Sequence, residues 1–212
     1  MNNVLQDMNP VLQMLTVMSL FSLLPFVFCC MTSFLRFTIV FSLLKTAMGV
    51  QVPPSIVTIG LCMILTFYTM GGVFEQMYEK GSIPYQKNGN LVVAIDEGSK
   101  PLKEFMLKQT RESDLAFFIE LRKKNAPKSP DELSIWEIAP AYILSELKVA
   151  FEIGFVVFVP FIVLDLVVAN ILLALGMFML SPTIISLPFK LLIFIAVDGW
   201  SLIVQGLVQS YN

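Results

Sequence analysis

The fold is decided by residues 153–190, which read IGFVVFVPFIVLDLVVANILLALGMFMLSPTIISLPFK. Asp165 and Lys190 are the charged residues of this stretch, and none lies between Leu166 and Phe189. A second uncharged run extends from Thr46 to Phe74. Each run exceeds the roughly 20 residues that an α-helix needs to cross a bilayer core. The sequence therefore predicts a protein of the integral membrane type and excludes a water-soluble globular domain.

The composition of the whole chain leads to the same class. Of its 212 residues, 56% are hydrophobic and 14% are charged, whereas about a quarter of the residues of a soluble domain are charged. Most of the charged residues lie between Glu75 and Glu137. The formal net charge of −2 offers no basic surface, so we expect no nucleic acid among the partners.

The residue types also exclude several kinds of site. The chain contains no histidine, so it has neither a histidine ligand for zinc or haem nor an imidazole base poised near neutral pH. Its three cysteines, Cys29, Cys30 and Cys62, lie in apolar runs. We interpret them as small buried hydrophobic residues, and we expect no metal or other cofactor.

Two apolar parts flank a polar centre. Residues 1–74 predict an N-terminal helical hairpin, residues 75–139 a polar and mainly helical segment, and residues 140–212 a C-terminal helical hairpin. The predicted fold is therefore all-α, with two long kinked hairpins around a small polar helical segment. Arg36 and Lys45 lie in the first short connection, and the positive-inside bias places that connection in the cytoplasm and the middle segment in the periplasm.

Proline, glycine and capping residues predict where the helices break. Pro25 and Pro160 predict kinks, and Gly71–Gly72 predicts the end of a helix that starts near Ser55. Residues 176–182 predict a turn between the last two long helices. Further signals are turns at Lys80–Gly81, Pro84 and Asn88–Asn90, a helix start at Ser99, an exposed loop over residues 122–128, and a capping box at Ser134–Glu137.

Seven charged residues lie inside or beside the apolar helices: Arg36, Lys45, Glu146, Glu152, Asp165, Lys190 and Asp198. An ionised group that faces lipid costs several kcal/mol, so such groups face protein or water and find partners. One interpretation is a proton or ion path through Asp165 and Asp198. The other is that these charges join helices or subunits as buried ion pairs, and the absence of histidine and the irregular spacing favour it.

Prolines inside apolar runs point to an assembly. Pro25, Pro160 and Pro188 each leave backbone groups that a membrane tolerates only where protein or water satisfies them. Two short hairpins cannot cover themselves. We therefore expect an obligate multi-subunit assembly, built from copies of this chain or from other partners.

The triplet Met177-Phe178-Met179 has two interpretations. Methionine is flexible and polarizable, so a ring of methionines can close around different shapes. Such a triplet also arises from ordinary packing. Gly176 and Ser181-Pro182 flank it with turn residues, which favours an exposed tip.

Several motifs together resemble the FliP/SctR family, and the resemblance covers nearly the whole chain. They are Met31-Thr32-Ser33-Phe34, Gly49-Val50-Gln51-Val52-Pro53-Pro54, Pro160-Phe161, Asp165-Leu166-Val167, Leu175-Gly176-Met177, Ser181-Pro182, Leu187-Pro188-Phe189-Lys190-Leu191 and Asp198-Gly199-Trp200. The last six of these are the most specific.

The resemblance implies a non-enzymatic core component of a type III secretion export apparatus, in a flagellum or an injectisome. It implies a homopentamer that assembles with FliQ/SctS-type and FliR/SctT-type membrane subunits and with an FlhB/SctU-type switch protein. Unfolded exported proteins pass through the resulting channel. The expected location is the bacterial inner membrane, in contact with lipid and partly at the periplasmic level. The flagellar and injectisome branches both stay open.

The resemblance also implies roles for individual residues. The methionine-rich loop that constricts the family's channel falls on Met177, Phe178 and Met179, with phenylalanine where the family commonly has methionine. Glu146 and Lys190 become candidates for ion pairs between subunits, and Asp165, Asp198, Arg36 and Lys45 are further candidates. An alternative function is a small proton-coupled transporter or channel that uses Asp165, Lys190 and Asp198.

Overall fold

The structure, a computed structural model, describes residues 10–50, 53–88, 91–121 and 133–211. The regular structure of these residues is α-helical, without strands, which confirms the predicted all-α class. The helices are α1 Pro10–Met31, α2 Phe34–Met48, α3 Ser55–Asn88, α4 Leu91–Gln109, α5 Glu112–Leu121, α6 Ile135–Ala174, α7 Pro182–Ala196 and α8 Gly199–Gln209.

Two of the helices are long and apolar enough to cross a membrane. They are α3, over Ser55–Ile83, and α6, over Ile135–Ala174. The pairs α1–α2 and α7–α8 add up to two further spans if each broken pair counts as one. Because only 11% of the most apolar window of α6 is buried, most of its apolar surface is left for lipid or other chains to cover.

Several predicted breaks are wrong, because the helices continue through them. Helix α3 passes Gly71–Gly72, Lys80–Gly81 and Pro84 and ends at Asn88. Helix α4 begins at Leu91, well before the start predicted at Ser99. A proline removes one backbone hydrogen bond, whereas a broken helix exposes about four groups at each new end. In the apolar part of α3, at Gly71–Gly72, the unbroken course costs less.

The first helix breaks after its proline. Pro25 lies inside α1, and the chain leaves helical geometry at Thr32–Ser33. The Thr32 hydroxyl donates to the Phe28 carbonyl oxygen at 2.6 Å and accepts the Phe34 amide at 3.3 Å. A side chain that serves both a preceding carbonyl and a following amide competes with the helical hydrogen bonds. The hydrogen bonds of the Thr32 side chain therefore account for the break between α1 and α2.

The capping-box prediction is confirmed at the start of α6. The Ser134 amide donates to Glu137 Oε2 at 2.7 Å, and the Ser134 hydroxyl accepts the Trp136 amide at 3.4 Å. The helix that begins there continues through Pro140 and Pro160 to Ala174. It is one helix of 40 residues, and the kink at Pro160 stays a prediction.

The chain divides into two compact units. One comprises residues 1–35 and 66–146, and the other residues 36–65 and 147–212. Helices α3 and α6 contribute residues to both. The three predicted segments, 1–74, 75–139 and 140–212, divide the chain by composition, whereas these units divide it by contact. The predictions at residues 1–9, 89–90 and 122–128 lie outside the described residues.

The first unit contains an apolar core. Its buried members are Met31, Met70, Leu102, Leu133, Met106, Ile138, Ala139 and Tyr142, which come from α1, α3, α4, α6 and the turn before α6. Leu102 and Met106 are buried, as their helical spacing predicts. Leu115 and Ile119 of α5 pack against this core with part of their surface.

Glycines let α3 and α4 approach closely within this unit. A Cβ atom on Gly98 would lie 3.3 Å from both the Gly81 Cα and the Met77 carbonyl oxygen. A Cβ on Gly81 would lie 3.3 Å from the Ala94 carbonyl oxygen. Since these neighbours are backbone atoms, a large side chain at either position has no space.

We expect Gly98→Leu to destabilise the protein, because the side chain forces α3 and α4 apart. Overpacking of this kind costs about 1–3 kcal/mol. Thermal unfolding in detergent measures the effect. Gly72→Leu is the matched control, since a Cβ there meets nothing within 4 Å. Equal melting temperatures for the two variants would contradict the close packing.

Candidate functional site

The loop between α6 and α7 is the first candidate site, and its geometry follows from its sequence. Helix α6 ends in a double hydrogen bond, from the Gly176 amide to the Leu173 carbonyl at 3.1 Å and from the Met177 amide to the Leu172 carbonyl at 2.9 Å. Gly176 has a φ of +76°, a left-handed conformation that glycine adopts readily at helix ends. Pro182 then starts α7. The turn predicted at residues 176–182 is confirmed.

The tip of this loop is exposed and apolar. Met177, Phe178 and Met179 are 48%, 75% and 98% exposed. Three large apolar side chains in a row at a helix connection, without an apolar partner surface, indicate a surface that contacts another molecule. The observation favours the exposed-tip interpretation over internal packing.

An ion pair joins the two helices that this loop connects. Lys190 Nζ of α7 lies 2.8 Å from Asp165 Oδ2 of α6 and donates to the Ala47 carbonyl at 3.0 Å. The Ser186 hydroxyl donates to the other oxygen, Asp165 Oδ1. Lys190 is 2% exposed and Asp165 is 32% exposed. The buried ammonium therefore has an anionic partner and a carbonyl acceptor.

Asp165 and Lys190 neutralise each other inside one chain. Ion pairs between subunits stay a prediction for these residues. The pair joins α6 and α7 on the same hairpin as the exposed loop. The Ala47 carbonyl, at the end of α2, connects a third helix to it.

Arg36 is a second buried cation of the same unit. It is 2% exposed, and its guanidinium donates from Nη1 to the Ser210 hydroxyl at 2.8 Å and to the Ser210 carbonyl at 3.2 Å. The guanidinium carbon lies 3.8 Å from the centre of the Tyr211 ring, a cation–π contact. Arg36 thus connects α2 to the turn after α8.

The other charged candidates lie apart from this pair. Lys45 is half-buried in the last turn of α2, and Asp198 is exposed at the break between α7 and α8, with a φ of 51°. Neither has an ion pair within the described part of the chain. Glu146 is fully buried in the other unit. The structure thus brings two of the three residues of the transporter hypothesis together.

Sequence reasoning missed one buried charge, Asp114. It is 3% exposed and accepts a hydrogen bond from the Ser145 hydroxyl at 2.8 Å, and that hydroxyl in turn accepts the Arg111 amide at 3.0 Å. Asp114 lies in the first turn of α5, where the positive end of the helix dipole favours a carboxylate. The sequence did not indicate that Asp114 is buried, because it lies in a segment rich in exposed charges. Its position in the first turn of an amphipathic helix was a signal that could have indicated a structural role.

The thiols and carboxylates form no metal centre where the structure describes them. No group of three or more such residues lies close enough to hold an ion in the described ranges. Cys62 is buried, as predicted, while Cys29 and Cys30 are half-buried, and all three are free thiols.

Comparison with known proteins identifies the family. The sequence profile of the FliP family matches residues 17–207. This chain belongs to the FliP family. It is 45% identical to the flagellar biosynthetic protein FliP of Pectobacterium carotovorum, over 94% of this chain and 78% of that protein. It is 41% identical to the FliP of Bacillus subtilis, over 97% of this chain and 94% of that protein.

A relative with a different name is as similar to this chain as the FliP of Bacillus subtilis. The Yop proteins translocation protein R of Yersinia pestis is 41% identical, over 95% of this chain and 96% of that protein. FliP-family relatives thus include proteins named for flagella and a protein named for Yop translocation. These matches confirm the resemblance found in the sequence.

The ion pair predicts an asymmetry between two variants. We expect Asp165→Asn to destabilise the protein by about 3 kcal/mol, because it leaves the buried Lys190 ammonium without its counter-charge. Lys190→Met should cost less, since the carboxylate that remains is partly exposed. Thermal or chemical unfolding in detergent measures both.

The double variant Asp165→Asn/Lys190→Met is the control for this prediction. It removes both charges and should recover part of the loss of Asp165→Asn. Additive losses in the double variant would contradict an energetic coupling between the two residues.

Proposed function

We propose that this chain is a core subunit of the export gate of a type III secretion apparatus, in which copies of the chain and partner subunits surround a channel for unfolded proteins. Membership of the FliP family makes the chain a membrane component of a type III secretion export apparatus. The formation of the channel, its partners and the inner-membrane location are the proposal. The exposed Met177-Phe178-Met179 tip is the observation that carries it.

The chemistry of the tip suits a seal around a moving polypeptide. Methionine side chains have three rotatable bonds and a polarizable sulfur, so they can adapt to different shapes. Phe178 adds a large apolar ring of lower flexibility. Several copies of such a tip around an axis would exclude water and ions while an unfolded chain passes.

The exposed apolar surface of α6 supports an assembly. Large side chains along the helix are open in a single chain, with 57–70% of their surface exposed at Phe151, Phe155, Val156 and Leu166. Lipid can cover such a surface, but the prolines of α6 and α7 favour protein neighbours. We propose that copies of this chain, together with FliQ/SctS-type and FliR/SctT-type subunits, cover it and that an FlhB/SctU-type protein joins them.

The rival function, a proton-coupled transporter, receives less support from the contacts. Asp165 gives one oxygen to Lys190 and the other to Ser186. A carboxylate held by two donors stabilises a helical hairpin, whereas a proton carrier needs a next acceptor within reach. Asp198, the proposed second carboxylate, lies exposed on another helix break.

We expect replacement of Met177, Phe178 and Met179 by glycine to make the assembled membrane complex leaky to ions, because the seal loses its side chains. Ion flux into vesicles that contain the complex measures the leak. The control, Met177→Leu/Phe178→Met/Met179→Leu, keeps apolar bulk and should stay tight. An unchanged permeability of the glycine variant, in a complex that still assembles, would remove the assignment.

Asp165→Asn separates the two candidate functions. The export-gate proposal expects reduced recovery of the chain with its partner subunits, because the hairpin loses its ion pair. The transporter hypothesis expects an intact complex that has lost proton or solute flux. Recovery in co-purification and flux in the same vesicles distinguish them.

A further inference from the structure

The end of α2 lies close to α7, the helix that follows the apolar tip. Helix α2 closes with two hydrogen bonds, from the Gly49 amide to the Thr46 carbonyl at 3.1 Å and from the Val50 amide to the Lys45 carbonyl at 3.3 Å. Gly49 has a φ of +71°, the left-handed conformation that such a helix end requires and that glycine adopts without strain. We call residues 45–50 the α2 corner. The corner is a closed backbone turn whose shape depends on Gly49.

Lys190 of α7 completes the end of α2. The last four carbonyls of an α-helix have no partner inside the helix, and the two hydrogen bonds of the corner satisfy those of Lys45 and Thr46. The Ala47 carbonyl accepts a hydrogen bond from Lys190 Nζ at 3.0 Å. The negative end of the helix dipole also favours a cation at this place. Lys190 therefore acts as a cap for α2 that another helix supplies.

A polar face of α7 meets the α2 corner. Thr183, Ser186 and Lys190 follow one another at intervals of three and four residues, which places them on one side of a helix that is otherwise apolar. Ser186 and Lys190 are buried. A Cβ atom on Gly49 would lie 3.7 Å from Thr183 Cγ2, so the corner also approaches the start of α7. The corner is thus close to α7 at two levels, at its first turn and two turns further on.

The loop that carries the tip has little support of its own. Residues 173–181 are all exposed. The Ser186 hydroxyl donates to Asp165, which joins the two arms of the hairpin to each other but leaves their place relative to α2 open. Thr183, which Gly49 approaches, lies at the base of the tip. The α2 corner is therefore well placed to hold that base.

A seal requires each tip to stand at a defined place, because a gap opens wherever one apolar side chain stands away from its neighbours. We propose that the α2 corner sets the place of the tip, with Gly49 and Lys190 as positioning residues. Gly49 gives the corner its shape next to Thr183, and Lys190 attaches α7 to the Ala47 carbonyl. Both act through α7 and not by contact with an exported protein. The inference rests on the proposed function, since the place of the tip matters only if the tip is a seal.

The double variant Asp165→Asn/Lys190→Met separates the place of the tip from the stability of the hairpin. It recovers part of the stability that Asp165→Asn loses, but methionine offers no donor to the Ala47 carbonyl. In vesicles that contain the assembled complex, we expect at least half the ion flux of the variant whose tip is replaced by glycine. Flux that returns to the level of the unaltered complex as stability recovers overturns the proposal, because Lys190 then acts through stability alone.

Gly49→Val and Gly49→Asn test the corner independently, and they decide the question where the double variant does not assemble. Valine strongly disfavours a left-handed backbone, whereas asparagine adopts it. We expect Gly49→Val to leak in the same vesicles and Gly49→Asn to stay tight. Gly199→Ala is the control for a general loss of stability, because a Cβ there would collide with the Phe194 ring at the other end of α7. A tight Gly49→Val complex, or an equal leak in Gly199→Ala, overturns the proposal.

The glycine variant of the tip distinguishes a failure of this inference from a failure of the proposed function. A tight glycine variant removes the seal and, with it, the basis for any positioning of the tip. A leaky glycine variant together with tight variants of Gly49 and Lys190 leaves the seal in place and overturns only the role of the α2 corner. Leaks in both sets, with a tight Gly49→Asn complex, support the seal and its support by the corner.

Discussion

The constraint that shapes this structure is that backbone amides and carbonyls surrounded by apolar side chains must bond to each other. A helix satisfies all of them within one segment, whereas a break exposes several at once. Helix α3 therefore continues through Gly71–Gly72, and α6 through Pro140 and Pro160. Breaks occur where a local group supplies the missing partner, as Thr32 does after α1 and Gly176 after α6.

Charges obey the same constraint, as two buried cations of one compact unit show. Lys190 is bound by Asp165 and the Ala47 carbonyl, and Arg36 by Ser210 and the Tyr211 ring. These contacts connect α2, α6, α7 and the turn after α8 within one compact unit. Polar interactions therefore fix the geometry of the hairpin that presents the apolar tip, since apolar surfaces alone specify position weakly. The tip itself is left without cover.

The sequence was sufficient for the class of fold, the loop at residues 176–182 and the family, because long uncharged runs and glycine-proline signals have direct physical meaning. It failed on helix lengths. Gly81 resembles a turn residue, but in the structure it permits close contact with Gly98. The sequence also did not predict the ion pair, since the spacing of Asp165 and Lys190 does not reveal whether their partners lie in the same chain. Asp114 was missed because its burial depends on a helix packed against it from elsewhere in the sequence.

The central claim is that copies of this chain bring their Met177-Phe178-Met179 tips together around a common axis. Disulfide cross-linking tests it directly, with Met179→Cys introduced into a chain in which Cys29, Cys30 and Cys62 are replaced by alanine. In membranes that contain the partner subunits, the account predicts covalent dimers of this chain after mild oxidation, because the single cysteine of each chain forms one disulfide. Monomers alone, from a complex that still co-purifies, would contradict it.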